Sequence, residues 1–178
     1  MLDAVFDREI WARVPFGFWA GVFFVLGSVV GSFLNVVILR LPVMLERQWR
    51  TEYSEVSGTQ STVVAETFNL VTPRSRCPSC ETPITALQNI PLISWLALRG
   101  RCAGCGTSIS ARYPAIEGAT AILSAVVAHR LGFGLVGMAG LMLTWFLVAL
   151  TFIDFDHQLL PDNLTLPLVW LGLLLDRK

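Results

Sequence analysis

Charge is scarce in this sequence. Charged residues make up 15% of the chain, against 54% hydrophobic residues, and the mean hydropathy is +0.62. Soluble domains carry about one quarter charged residues, so this composition indicates a membrane protein. Thirteen basic residues balance thirteen acidic ones. Because a net positive charge is absent, the sequence gives no reason to expect a nucleic-acid partner.

Two long segments contain no Asp, Glu, Lys or Arg at all. The first is 14–39 and the second is 131–153. A helix of about 20 apolar residues is long enough to cross a bilayer, and both segments exceed that length. We therefore predict membrane spans at 14–39 and 131–153.

A third apolar segment, residues 113–129, is interrupted by Glu117. We count it as a span because, without this crossing, Asp154 would lie on the opposite side of the membrane from the Arg-rich loop at 40–112. A fourth span is expected to start within residues 163–178.

The N-terminal segment lacks the features of a cleaved signal peptide. Its apolar run is far longer than the roughly 7–15 residues of a signal peptide, and no small-x-small cleavage site follows. The leader before it carries three acidic residues against two Arg. We therefore predict a retained anchor preceded by an extracytoplasmic segment at 1–13.

Arg residues are distributed unevenly around the predicted spans. Six lie near the ends of the loop at 40–112, against three on the other side of the membrane. Positive residues favour the cytoplasmic side, so the loop is predicted to be cytoplasmic. The segment 154–162, which begins with Asp154, then lies at the cytoplasmic mouth of the third span.

All four cysteines lie in the second half of that loop. Cys77 and Cys80 form one Cys-x-x-Cys pair, and Cys102 and Cys105 form another further along the loop. This pattern is typical of a closed, structural zinc site with four thiolate ligands. Two disulfides or a redox dithiol are the alternatives. Disulfides persist in oxidising compartments, whereas the Arg distribution indicates the reducing one.

The two cysteine pairs belong to an internal repeat. The segments RCPSCETPI (76–84) and RCAGCGTSI (101–109) match at Arg, both Cys, Thr and Ile, without a gap. We predict two similar knuckles that face one metal ion within a module at 76–109. The first half of the loop is polar, and its segment SEVSGTQSTVV (54–64) predicts a flexible linker.

A few small and polar residues lie within the predicted spans. Gly27 and Gly31 form a small-xxx-small motif, which is typical of close helix packing in membranes. Asn35 lies in the same span and needs a hydrogen-bond partner in lipid. We assign helix packing or support of a site to Gly27, Gly31, Asn35 and Glu117.

Three carboxylates follow the last uncharged run. Asp162 precedes an apolar segment and is typical of a helix N-cap. Asp154 comes directly after the uncharged segment 131–153, where a carboxylate either reaches out to the headgroups or turns inward to a water-accessible cleft. The spacing alone does not separate these two interpretations of Asp154.

Four motifs together resemble one known family. They are GSFLNVVILRLP (31–42), the paired Cys-x-x-Cys, RYPAIE (112–117) and IDFDHQLLPD (153–162). The combination resembles the type IV prepilin leader peptidases, bacterial inner-membrane aspartic proteases that also N-methylate the new pilin N-terminus. We therefore expect a mostly α fold, with polytopic membrane helices and a small cytoplasmic zinc-ribbon-like insertion.

The resemblance implies a role for several residues. It implies that Asp154 is one catalytic Asp and that the second lies in a Gly-x-Gly-Asp motif on a later helix. One carboxylate of such a pair activates water while the other, protonated, donates to the carbonyl. The implied substrates are prepilins or pseudopilins with a basic leader, which Asp156 and Asp162 would help to attract. S-adenosylmethionine is the implied methyl donor, and its binding residues are not indicated by any spacing.

One family motif is missing. No Gly-x-Gly-Asp occurs in the sequence, and the last apolar run, 164–175, is too short to span a bilayer. We therefore expect the N-terminal part of a longer peptidase, inactive alone as a protease. The alternative hypothesis is a non-enzymatic, membrane-anchored zinc module that acts as a scaffold in a pilus or secretion assembly.

Overall fold

The computed structural model describes residues 15–58, 67–85, 87–132 and 134–175. Those residues contain no β-strand, so the predicted mostly α class is confirmed. The predicted segment 1–13 lies outside the described residues. The helices are α1 (Phe16–Ser57), α2 (Ile93–Ala97), α3 (Arg112–Leu131), α4 (Leu135–His157) and α5 (Asp162–Leu175), with a 3-10 turn at Leu87–Asn89.

Helix α1 is much longer than the predicted span. It continues past Leu39 to Ser57, so the polar start of the loop is helical and the linker prediction was wrong for residues 54–57. Pairs four residues apart stabilise this polar part, among them Arg50 and Glu46 at 2.5 Å. Gly58, with φ 69°, ends the helix in the left-handed region. Residues 59–66, which include the rest of the predicted linker, lie outside the described residues.

Two of the described helices are long and apolar enough to cross a membrane. They are residues 17–57 and 135–157, which contain most of the spans predicted at 14–39 and 131–153. Helix α3 has 20 residues but is not among these two helices, so its crossing stays a prediction. Helix α5 is a shorter apolar helix.

Helices α1, α3 and α4 pack against one another around a common core. Ile38 of α1, Ile116 of α3 and Ile153 of α4 are each at most 1% exposed. All three belong to one hydrophobic cluster. Since Ile116 is near the start of α3 and Ile153 is near the end of α4, this core lies at the end of the bundle where the loop enters.

The outer faces of the helices carry exposed apolar side chains. A soluble monomer rarely exposes large contiguous apolar patches, so these faces are typical of a lipid-facing surface. Examples are Phe18, Val25, Val29 and Phe33 on α1, Ile122 and Val126 on α3, and Leu135, Met142 and Leu147 on α4.

Candidate metal centre and the acids at the end of the bundle

Each cysteine pair lies in a tight turn, and the two turns have the same hydrogen bonds. The Cys77 N–H donates to the Thr82 carbonyl at 3.0 Å, and the Cys102 N–H donates to the Thr107 carbonyl at 2.8 Å. Donor and acceptor occupy equivalent positions of the sequence repeat in both turns. The repeated sequence therefore forms a repeated structure.

A residue with positive φ closes each turn. Glu81 has φ 55° and Gly106 has φ 73°. Their N–H groups donate to the Cys77 and Cys102 carbonyls, each at 2.9 Å. Glycine adopts this conformation without steric cost, whereas Glu81 does so against its Cβ.

The two turns face each other and bring the four sulfur atoms together. All four Sγ atoms lie within 4.8 Å of one another. The Cys77–Cys105 and Cys80–Cys102 Sγ pairs are 3.8 and 3.9 Å apart. Thiolates at about 2.3 Å from a tetrahedral zinc ion are about 3.8 Å apart, so this donor set fits zinc. The four cysteines are free, in contrast to the disulfide alternative.

Hydrogen bonds favour the thiolate forms of the second pair. Those from the Thr107 side chain and backbone lower the pKa of the Cys105 thiol to about 6. Those from the backbone of Cys105 and Gly104 lower the pKa of Cys102. Metals bind the thiolate rather than the thiol, so these bonds favour metal binding near neutral pH.

Asp154 lies inside α4 rather than in a segment after it. The helix continues to His157, and the N–H of the left-handed Gln158 donates to the Asp154 carbonyl at 2.8 Å. The preceding residue, Ile153, is fully buried. The Asp154 side chain is exposed and has no hydrogen-bond partner among the described residues. The core therefore fixes the helix while leaving this carboxylate accessible.

Asp156 is paired with Arg112, a contact that the sequence analysis missed. The Arg112 guanidinium donates to both Asp156 oxygens, with Nη1 to Oδ1 at 2.9 Å. It also lies 5.4 Å from the ring centroid of Phe152. The two charged residues are far apart in sequence, and no spacing rule connects them. Their contact joins the start of α3 to the end of α4.

Asp162 lies in the first turn of α5. The Pro161 carbonyl accepts hydrogen bonds from the N–H groups of Leu164 and Thr165, each at 3.0 Å. Pro161 therefore holds the cap position that we predicted for Asp162. A carboxylate in the first turn interacts favourably with the helix dipole.

The two glycines of the small-xxx-small motif face α3. A Cβ added at Gly27 would lie 2.8 Å from the Ala121 Cα, and one at Gly31 would lie 2.8 Å from the Glu117 Cα. Real Cβ atoms do not approach backbone so closely. The missing side chains therefore set the distance between α1 and α3.

Asn35 joins α1 to α3, and Glu117 joins α3 to the loop. The Asn35 amide donates to the Tyr113 carbonyl at 3.2 Å, and a Glu117 oxygen accepts from the Leu92 N–H at 2.8 Å. Asn35 and Glu117 are 7% and 9% exposed. A cavity of about 400 Å³ lies beside them, between α1, the start of α3 and the described residues between 67 and 110, which we call the metal-binding loop. Asp154, Asp156 and Asp162 do not line this cavity.

Two models of known families match the sequence of this chain. The sequence model of the bacterial Peptidase A24 N-terminal domain matches residues 25–131, and that of the type IV leader peptidase family matches residues 141–177. The first match includes both cysteine pairs and the second includes Asp154. No solved structure matches the chain.

Several relatives are named prepilin leader peptidase/N-methyltransferase. The protein of Aeromonas salmonicida (strain A449) is 60% identical over 153 residues, which cover 85% of this chain and 53% of the relative. That of Neisseria gonorrhoeae is 54% identical over 151 residues, covering 84% and 53%. That of Pseudomonas aeruginosa is 53% identical over 149 residues, covering 84% and 51%.

The matches define a class of leader peptidases. This chain belongs to the type IV leader peptidase family and carries its bacterial Peptidase A24 N-terminal domain. It spans about half the length of the curated relatives that it matches.

Proposed function

We propose that this chain is part of a membrane aspartic endopeptidase that cleaves the leader of prepilins and pseudopilins and N-methylates the new N-terminal residue. The observation that carries the proposal is the match of residues 141–177, which contain Asp154, to the type IV leader peptidase family. The names of the relatives supply the two activities.

Asp154 is proposed as one of two catalytic carboxylates. Its exposed side chain lies one residue beyond the fully buried Ile153, so it can meet a peptide at the end of the bundle without loss of packing. The second carboxylate is proposed to come from the half of the relatives that this chain does not match. Peptide hydrolysis with two carboxylates needs one to activate water and the other to donate a proton.

The catalytic end is proposed to face the cytoplasm of a bacterium, in a multi-pass inner-membrane protein. The Arg112–Asp156 contact supports a common side for the loop and Asp154, because it joins the end of the loop to the end of α4. The Arg residues of the loop then favour the cytoplasm as that side. Residue 154, changed to Cys in a chain whose four native cysteines are occupied by metal, should react with an impermeant reagent only from the cytoplasmic side.

The metal is proposed to be zinc in a structural role. All four ligands are protein thiolates, so no coordination position is left for water or substrate. Zinc would hold the two knuckles face to face and would take no part in hydrolysis.

Attraction of a basic leader is proposed for Asp162 more than for Asp156. The charge of Asp156 is already balanced by Arg112, whereas the exposed Asp162 side chain has no partner among the described residues. Asp162→Asn should raise the Michaelis constant for prepilins with basic leaders and not for those with neutral leaders. Equal kinetics for both leaders would exclude this role.

The central test is Asp154→Asn in the chain joined to the C-terminal half of the Aeromonas salmonicida relative. We expect prepilin cleavage to be lost while the membrane level of the protein is unchanged. Glu55→Gln, which removes an exposed acid on α1 instead, should cleave normally. Full activity of Asp154→Asn would contradict the protease assignment and leave the scaffold hypothesis.

A further inference from the structure

We propose that the cavity between α1, α3 and the metal-binding loop binds S-adenosylmethionine, with Glu117 facing its sulfonium group. The inference rests on the proposed function, because N-methylation requires a methyl donor. It assigns that donor to residues that this chain itself supplies.

The cavity has the size and walls of a small-molecule site. Its volume of about 400 Å³ falls in the range of roughly 300–1,000 Å³ that such sites occupy. Trp95 and Tyr113 contribute aromatic walls. Trp95 is held in place because its Nε1–H donates to the Ile109 carbonyl at 3.3 Å. A fixed aromatic wall suits a purine base, which binds aromatic side chains by stacking.

Glu117 provides a carboxylate oxygen with no hydrogen-bond partner among the described residues. The residue is 9% exposed, and one of its oxygens accepts from the Leu92 N–H at 2.8 Å. Among the described residues, every fully buried side-chain oxygen or nitrogen has a hydrogen-bond partner. The second Glu117 oxygen has none among those residues, so it is not fully enclosed by them, and Glu117 is one of the residues that line the cavity. A largely buried carboxylate is stabilised by a cation placed against it.

The remaining charges separate this ligand from its competitors. Arg40, Arg74 and Arg76 also line the cavity. Three guanidinium groups disfavour a basic leader peptide, and a lipid acyl chain gains nothing from a buried carboxylate. S-adenosylmethionine carries a sulfonium cation for Glu117 and an α-carboxylate for the Arg side chains, so it matches both signs of charge.

The cavity is at the same end of the bundle as Asp154. Glu117 follows Arg112 on α3 by a rise of about 7.5 Å along the helix axis, and Arg112 contacts Asp156 near the end of α4. Bound there, S-adenosylmethionine supplies a methyl group to an amine released nearby. The amine lone pair forms the N–C bond, the S–C bonding pair returns to sulfur, and the amine releases a proton. The product, S-adenosylhomocysteine, is therefore uncharged at sulfur.

S-adenosylmethionine carries a positive charge at sulfur and S-adenosylhomocysteine does not. A comparison of their affinities therefore tests the role of Glu117. The zinc-loaded chain in detergent should bind S-adenosylmethionine about tenfold more tightly than S-adenosylhomocysteine in equilibrium dialysis, because only the former places a cation against Glu117. Glu117→Gln should remove this preference, while its amide oxygen still accepts from the Leu92 N–H. Glu55→Gln, a matched change at an exposed acid, should keep it.

A second pair of variants tests the cavity without altering a charge. Val36 lines the cavity, whereas Val29 of the same helix is 54% exposed and does not. Val36→Trp should abolish binding of both ligands, and Val29→Trp should leave it unchanged.

Three results would overturn the assignment. The first is that the unaltered chain does not bind S-adenosylmethionine. The second is that neither Glu117→Gln nor Val36→Trp changes this binding. The third is that the chain binds a basic leader peptide or phosphatidylglycerol vesicles, and that Val36→Trp abolishes this binding while Glu117→Gln does not. If prepilin cleavage still depends on Asp154 in any of these cases, the peptidase proposal stands and only the donor site fails.

Discussion

The metal-binding loop and the helical bundle are held together by different means. Among the described residues between 67 and 110, Cys77 is the one buried hydrophobic side chain, whereas the bundle has a cluster built from three helices. A segment this small cannot bury enough apolar surface to fold on that basis. The loop therefore depends on its four sulfur atoms, and the bundle depends on close approach of α1 to α3.

The loop requires particular atoms at its four cysteines, whereas the bundle requires space between its helices. In the loop, sulfur atoms and turn hydrogen bonds repeat with the sequence, and the side chains between them are mostly exposed. In the bundle, the absence of side chains at Gly27 and Gly31 matters as much as the presence of Ile38. Changes to one region should leave the other largely intact, which the following experiments test.

The largest effect is expected from removing a metal ligand. Cys102→Ser should lower bound zinc from near one ion per chain to a small fraction, because three thiolates and a hydroxyl do not complete the site. The loop should become sensitive to protease while α1, α3 and α4 stay protected. Metal analysis and limited proteolysis measure both.

Ser79→Ala is the matched control, since Ser79 lies between two ligands and its side chain is not a ligand. It should retain zinc. If Cys102→Ser also exposed the bundle helices to protease, the two regions would not be independent.

The bundle should respond strongly to a side chain at the α1–α3 contact. Gly31→Leu places atoms against the Glu117 backbone, where even a Cβ would be 2.8 Å from Cα. Overpacking of this kind costs about 1–3 kcal/mol. Thermal unfolding in detergent should show a lower midpoint with zinc content unchanged.

Gly21→Leu tests whether this effect depends on position. Nothing lies within 4 Å of a Cβ at Gly21 of the same helix. Its midpoint should not fall below that of the unaltered chain, because Leu has a higher helix propensity than Gly. An equal loss in both variants would show that the effect does not depend on the contact with α3.

A smaller effect is expected where one hydrogen bond joins the helices. Asn35→Ala removes the amide that donates to the Tyr113 carbonyl at 3.2 Å. The loss should be about 1 kcal/mol in the free energy of unfolding. Phe33→Ala, on the exposed face of α1, should change it less; the reverse order would argue against a packing role for Asn35.

The Arg112–Asp156 pair should contribute less still. Its side chains keep 38% and 20% exposure, so the solvent screens the attraction. A double-mutant cycle with Arg112→Ala and Asp156→Ala should give a coupling of about 0.5–1 kcal/mol that falls as salt rises. A salt-independent coupling would instead indicate a desolvated pair.

The smallest expected change is one of reactivity. Since the pKa of Cys105 is lowered to about 6, this exposed thiol should be mostly thiolate at pH 7 and protonated as the pH falls below 6. In the chain treated with a chelator, iodoacetamide should modify Cys105 before the buried Cys77 at pH 7. At pH 5 it should modify Cys105 slowly. Mass spectrometry locates the adduct. Equal rates at both thiols would show that the knuckles lose their arrangement without metal.

The sequence predicted the elements whose physical cause is local. Apolar runs indicated α1 and α4, and the Cys-x-x-Cys repeat indicated that four sulfur atoms would lie together. It did not show that α1 continues past Leu39 to Ser57, and it was wrong for residues 54–57, where polarity alone suggested a linker. Pairs such as Arg50 with Glu46 stabilise the helix in this part of the chain. A solvent-exposed helix and a loop are both rich in polar residues, so polarity alone does not distinguish them.

What the sequence determined by itself was which residues repeat, which segments avoid water and where acids interrupt them, because periodicity and composition act over a few turns of chain. Only the tertiary structure decided that Arg112 contacts Asp156, that Gly31 faces Glu117 and that Glu117 lines a cavity together with Trp95. These contacts join residues that are distant along the chain. They depend on how three helices and a metal-binding loop fill the same space, which no local pattern encodes.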